Sequence, residues 1–189
     1  RLHIFAPGTH TAARVQAAND CGFMPTSFGC TFEASGLDID FAHWAASISS
    51  FGGRTSDVML AAPATSTFTA PLRGTDGASR YGSTKLPKDK EAVRLETLGM
   101  VRAIDIFKQG MRRHLKSFIL LRPSLIDPCG LDEIQSLLMC KGVYRHWWQV
   151  GQRSHQHGYT VISNVVQAPP PLNVQFVMDA GHTLSRALL

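Results

Sequence analysis

The sequence predicts an α+β chain. A βαββαβ unit spans residues 111–189, reached through one connecting helix at 87–110, behind a mostly irregular Gly/Ser/Ala-rich extension at 1–86. Three observations predict it. Glycine breaks every candidate element between residues 20 and 86. The clearest helical periodicity begins at Pro87. After residue 111, apolar runs and one compact helical pattern follow each other in the order strand, helix, strand, strand, helix, strand.

The extension is read first. Residues 1–19 hold Arg1, His3, His10 and Arg14 with no acid, a pattern that resembles an organellar targeting segment. Residues 20–86 are rich in Gly, Ser, Thr, Ala and Pro. Within them Asp38 to Ser50 suits one short helix with Phe41, Trp44, Ala45 and Ile48 on a face, and Val58 to Ala62 suits a strand. No independent core is visible, so the expected state is an arm laid on a partner, because a Gly/Ser-rich segment does not offset its own ordering entropy.

From Pro87 to Gln109 the chain reads as a helix. Pro87 suits a first turn, and Asp89 and Glu91 sit where the helix dipole favours acids. Val93, Leu98, Val101, Ile104 and Phe107 follow helical spacing, and Gly110 is the expected stop. A basic cluster, Met111-Arg-Arg-His-Leu-Lys116, then leads into an apolar strand at Ser117–Leu121 and is a candidate for phosphate contacts. Ile126-Asp-Pro128 interrupts regularity. Leu131 to Cys140 is a short helix with Asp132 and Glu133 in its first turn, ended by Gly142. Val143–Val150 is a strand, Gly151–Gly158 a polar turn, and Tyr159–Val165 a strand with Tyr159, Val161, Ser163 and Val165 on one face. Leu172–Val177 suits a second helix and Thr183–Leu189 a last strand. This order is the split βαβ, ferredoxin-like arrangement.

Composition bounds function. Of 189 residues, 44% are hydrophobic and 17% charged, which excludes a disordered polyelectrolyte and a coiled coil. No apolar run approaches bilayer length. Cys21, Cys30, Cys129 and Cys140 lack the spacing of a zinc knuckle and read as free thiols of a reducing compartment. The net charge of +5 is unevenly placed: residues 1–80 carry five Lys/Arg against six Asp/Glu, and residues 81–189 carry fourteen against eight. A basic region that also looks folded points to a polyanion, above all a nucleic acid. No G-x-S-x-G, P-loop or Rossmann fingerprint is present. Arg122 and Asn164 would suit the Arg and Asn of an acylphosphatase, but the Gly-rich anion loop is missing. His146, His155 and His157 have no matching Asp, Glu or Cys, so no metal or cofactor is expected.

Four short motifs then carry a resemblance. Phe118-Ile-Leu-Leu-Arg122-Pro123-Ser-Leu125 resembles the opening strand of the bacterial-type small-subunit ribosomal protein S-six family. Val150-Gly-Gln-Arg153 resembles the end of that family's second strand, and His157-Gly-Tyr159 with Val161 the start of its third. Met178-Asp179 through Leu184, Arg186 and Leu188 resembles its last strand. The likeness covers residues 113–189. The extension before residue 113 has no counterpart in the short bacterial proteins and resembles an added arm of an organellar, mitochondrial ribosome.

The resemblance implies a non-enzymatic constituent of the small ribosomal subunit in the mitochondrial matrix, without cofactor. It would bind small-subunit rRNA and pair with ribosomal protein S-eighteen and other small-subunit proteins, away from membranes. The RNA-contact candidates are Arg112, Arg113, Lys116, Arg122, Arg145, Arg153 and Arg186, because Arg and Lys neutralise phosphates and planar groups stack on unpaired bases. Tyr144, Trp147 and Trp148 are the candidate protein interface, one Trp of the alternating pair facing the core and the other a partner. The competing expectation is a non-catalytic accessory subunit of another mitochondrial assembly, such as a respiratory complex.

Overall fold

A computed structural model describes residues 1–6, 16, 18–20, 24–29, 57–82, 87–150 and 157–166. Its class is α+β with a mixed sheet, as expected from the sequence. Six strands form that sheet: β1 (Leu2–Ala6), β2 (Pro25–Gly29), β3 (Val58–Ala61), β4 (Lys116–Leu121), β5 (Tyr144–Val150) and β6 (His157–Ser163). Helices α1 (Pro87–Arg112) and α2 (Asp132–Leu138), helical residues at 16 and 18–20, and two short 3-10 turns at Gly77–Tyr81 and Pro128–Gly130 make up the rest of the described regular structure. The strand order is β2-β1-β3-β4-β6-β5. Pairings among β2, β1, β3 and β4 are parallel, whereas β4–β6 and β5–β6 are antiparallel.

This corrects the expected irregular extension and the division of the chain at residue 111. The described parts of residues 1–86 supply three strands of the same sheet that contains β4, so α1 is not a linker between two bodies. The reason lies in burial. Leu2, Ile4 and Phe5 of β1 and all four residues of β3 are buried. Parallel strands covered on both faces read as short continuous apolar runs, not as alternation. Apolar surface gained at roughly 25 cal/mol per Å² offsets the ordering entropy that the Gly-rich composition suggested would win.

The expected split βαβ order is met in its first three strands, with β4, β6 and β5 side by side and antiparallel. The place beside β4 that a ferredoxin-like domain gives its fourth strand is held by β3, in parallel. The expected elements at 38–50, 172–177 and 183–189 lie outside the described residues.

Two cores sandwich the sheet. On one face Leu2, Ile4, Val58, Leu60, Phe118, Leu120, Tyr159 and Val161 pack with Ala18 from the helical residues 18–20. On the other, Phe5, Met59, Ala61, Ile119, Leu121 and Ile162 meet Met100, Ile104 and Phe107 of α1 and Ile134 and Leu137 of α2. The connection from β1 to β2 thus places Ala18 on one face, and the connection from β3 to β4 places α1 on the other. Right-handed crossovers demand this, because the two connections travel in opposite directions across the sheet. It makes the gap between β1 and β3 a topological switch point.

Helix α1 runs two residues past the expected stop at Gly110. Gly110 is buried and is where the helix comes nearest the sheet: a Cβ there would lie 2.5 Å from Met59 Cε, and nearer still to Ser117 Oγ. The helix ends instead at His114, which adopts φ 60. Leu115 N donates to Gly110 O (3.0 Å) and His114 N to Met111 O (3.0 Å), a Schellman cap with histidine in the left-handed position usually given to glycine.

Candidate nucleic-acid and partner interface

The described cations singled out in the sequence fall near the two ends of β4 and on β5. Arg112 and Lys116 are exposed where α1 hands over to β4. The negative end of the α1 dipole favours cations there. Arg113 is half-buried and engaged with its surroundings. Arg122 is exposed just past the other end of β4 and also holds an interaction. At about 3.3 Å per strand residue, it stands roughly 20 Å from Lys116. Arg145 on β5 donates to Asp127 Oδ2 (2.9 Å), an exposed pair that contributes little stability but aims its guanidinium. Arg153 and Arg186 lie outside the described residues. The five described cations are therefore not one patch.

The aromatic candidates sit on β5, an end strand among the described residues. Trp147 is 59% exposed and Tyr144 38%. The Trp147 ring lies across β6 on Gly158, so closely that any Cβ at Gly158 would overlap its six-membered ring. Gly158 is thus what lets a large indole lie flat against the sheet edge. Arg145 and Trp147 share the face of β5 on which α2 packs, whereas Tyr144 and His146 point to the other, their ring centroids 6.3 Å apart. His146 Nε2 is buried with no partner. Trp147, one of the two tryptophans expected at an interface, is exposed; the Trp148 side chain lies outside the described set.

Other polar groups are spent inside. Asn164 accepts from Ser117 N (2.8 Å) and donates to Leu115 O (2.7 Å), tying the end of β6 to the start of β4. It therefore stands at the opposite end of β4 from Arg122, which removes the acylphosphatase pairing. No group of His, Cys, Asp and Glu suited to a metal ion occurs among the described residues.

Sequence reading missed one hub. Arg73 lay in the supposed arm, and no motif marks it. Its fully buried guanidinium lies 3.9 Å over the Phe68 ring and donates to Thr67 Oγ1, Thr97 Oγ1, Arg80 O and Val93 O at 2.9–3.2 Å. Burial lowers its pKa from the ordinary arginine range, and Glu96 opposes that shift. Glu96 in turn accepts from Thr67 N (2.8 Å), Thr67 Oγ1 (2.7 Å), Ser66 N (3.1 Å) and the Ser66 hydroxyl. The network fastens the loop that leaves β3 to α1. Its hydrogen-bonding capacity is consumed, which makes it a structural clasp. No protein-family model matches the chain, and neither does any curated protein or solved structure.

Proposed function

We propose that this chain is a non-catalytic structural subunit of an organellar ribosome's small subunit, binding rRNA and a neighbouring ribosomal protein such as S-eighteen. The observation that carries the reading is the exposed Trp147, laid against Gly158 of the neighbouring strand and sharing one face of β5 with Arg145. An exposed indole with an arginine on the same strand face suits stacking on an unpaired base and contact with its phosphate. The β4-β6-β5 order of the split βαβ unit supports the same reading. The test is co-sedimentation of the native protein with the small ribosomal subunit. Loss of co-sedimentation on ribonuclease treatment is expected. Migration with a detergent-solubilised membrane complex that resists ribonuclease would sink the proposal.

The switch point between β1 and β3 favours a second reading. In doubly wound sheets nucleotides bind in the crevice outside the carboxyl ends of the strands at such a point. The sequence after β1, Ala6-Pro-Gly-Thr-His-Thr-Ala12, holds one glycine where dinucleotide-binding turns use three. Phe28-Gly-Cys-Thr31, at the end of β2, offers no acid for a ribose. A nucleotide-type scaffold without its fingerprint suits a non-catalytic accessory subunit of another mitochondrial assembly, such as a respiratory complex. The same sedimentation experiment separates the two, because this reading expects the ribonuclease-resistant outcome.

A further inference from the structure

Lys90, Val93, Arg94, Thr97 and Leu98 form a stripe along the first half of α1, beside the stripe that meets the sheet. Together with Tyr81 they line a half-open hollow of about 340 Å³, at the lower end of the range for small-molecule sites. Gly82 closes its rim without a side chain, since at φ 125 a Cβ would come 2.8 Å from Val93 Cγ1.

The polar atoms of the wall are already committed. The Tyr81 hydroxyl donates to Glu133 Oε2 (2.7 Å) and accepts from Asp132 N (3.1 Å). The Thr97 hydroxyl donates to Val93 O (2.8 Å) and accepts from Arg73 (3.0 Å). What remains toward the hollow is chiefly carbon. Charge stands at the rim: Arg94 is braced on Glu91 by two hydrogen bonds of 2.9 and 2.7 Å. Lys90 is exposed and has no ion partner among the described residues. The charged residues that line the hollow, Lys90 and Arg94, are both cations; Glu91 is taken up by Arg94, and Glu133 by the Tyr81 hydroxyl.

From this juxtaposition of a carbon-lined hollow and an uncompensated lysine, we infer a binding site for a small apolar carboxylate, its hydrocarbon against Val93 and Leu98 and its anion on Lys90. The site does not depend on either functional reading above, and it uses neither the cations at the ends of β4 nor the tryptophan edge.

The test uses the full chain, with anilinonaphthalene sulfonate as fluorescent reporter and octanoate as displacer. Octanoate should displace the reporter roughly threefold more effectively than octanol, the difference expected for one ion pair at an exposed lysine. Lys90→Glu should remove that difference by weakening octanoate about threefold or more while leaving octanol unchanged. Leu98→Trp, at a position already 38% exposed, should fill the hollow and abolish both. Trp147→Ala should change neither, which separates the hollow from the aromatic edge. Circular dichroism checks that each variant is folded. Absence of displacement by octanoate, equal displacement by octanol, or unaltered displacement in Lys90→Glu and Leu98→Trp overturns the inference.

Discussion

Gly110→Ala tests how α1 is seated on the sheet. In an open helix, this replacement stabilises by about 1 kcal/mol through propensity alone. Here the new methyl would meet Met59 Cε at 2.5 Å and Ser117 Oγ nearer still, both on buried residues. The Met59 thioether can swing aside. The Ser117 hydroxyl sits on β4, whose neighbours on both sides are hydrogen-bonded to it. Overpacking a core by one methyl costs about 1–3 kcal/mol. Set against the propensity gain, the expected net destabilisation is about 0–2 kcal/mol, toward the upper end because two side chains obstruct the methyl, a fall in Tm of up to roughly 4–8 °C for a chain of this size. Urea denaturation followed by circular dichroism measures it. Combining the change with Ser117→Ala removes the nearest obstacle and should recover on the order of 1 kcal/mol, seen as coupling in a double-mutant cycle. A Gly110→Ala protein more stable than the parent, or strict additivity in the cycle, would refute the proposed seating.

Three more outcomes are expected. His114→Gly relieves the left-handed backbone at the α1 cap and should stabilise the protein by about 0.5–1 kcal/mol in the same denaturation assay. His3 is buried with Nδ1 unpartnered, and burial holds its pKa below the ordinary 6.5 despite Asp57 3.9 Å from Nε2. The folded state thus binds fewer protons than the unfolded state, so stability present above pH 6.5 is lost as pH falls below it. The urea midpoint should drop between about pH 7.5 and about pH 5.5, and His3→Gln should flatten that drop; equal drops in both proteins would contradict the assignment. Finally, burial pushes the Cys129 thiol up to about 12, whereas Cys140 is exposed. Iodoacetamide at about pH 8 should alkylate Cys140 and leave Cys129 untouched in the native protein, as read by peptide mass spectrometry.

The second half of the chain was largely legible in its sequence, and the first half was not. Helices α1 and α2 and strands β4, β5 and β6 announce themselves by period and by Pro, Gly and acidic punctuation. Strands β1 and β2 do not. Leu2-His-Ile-Phe-Ala6 is too short for a period to register, and a central histidine disguises its burial. The usable signal was the pairing of two apolar runs that each end on proline, Leu2–Ala6 before Pro7 and Val58–Ala62 before Pro63. Strand alternation separates the faces of Trp147 and Trp148. That Trp147 lies over Gly158 depends on the register with β6, which no local pattern encodes. The scatter of the cations likewise follows from β4 separating Lys116 from Arg122. Arg73 was illegible because its partners come from three separate segments.

The junction at β4 also bears on how the chain reaches this state. The β5–β6 hairpin closes a short loop and so forms within microseconds once both strands exist. Pairing of β1 with β3, and of β3 with β4, must close long loops first, and such non-local parallel contacts form slowly. Chain synthesis delivers β1, β2 and β3 before β4 exists. During that interval β3 presents an unpaired, fully apolar edge, the kind of edge that invites aggregation. A ribosome-bound chaperone should therefore engage this protein until residue 121 has emerged, and release it when β4 docks.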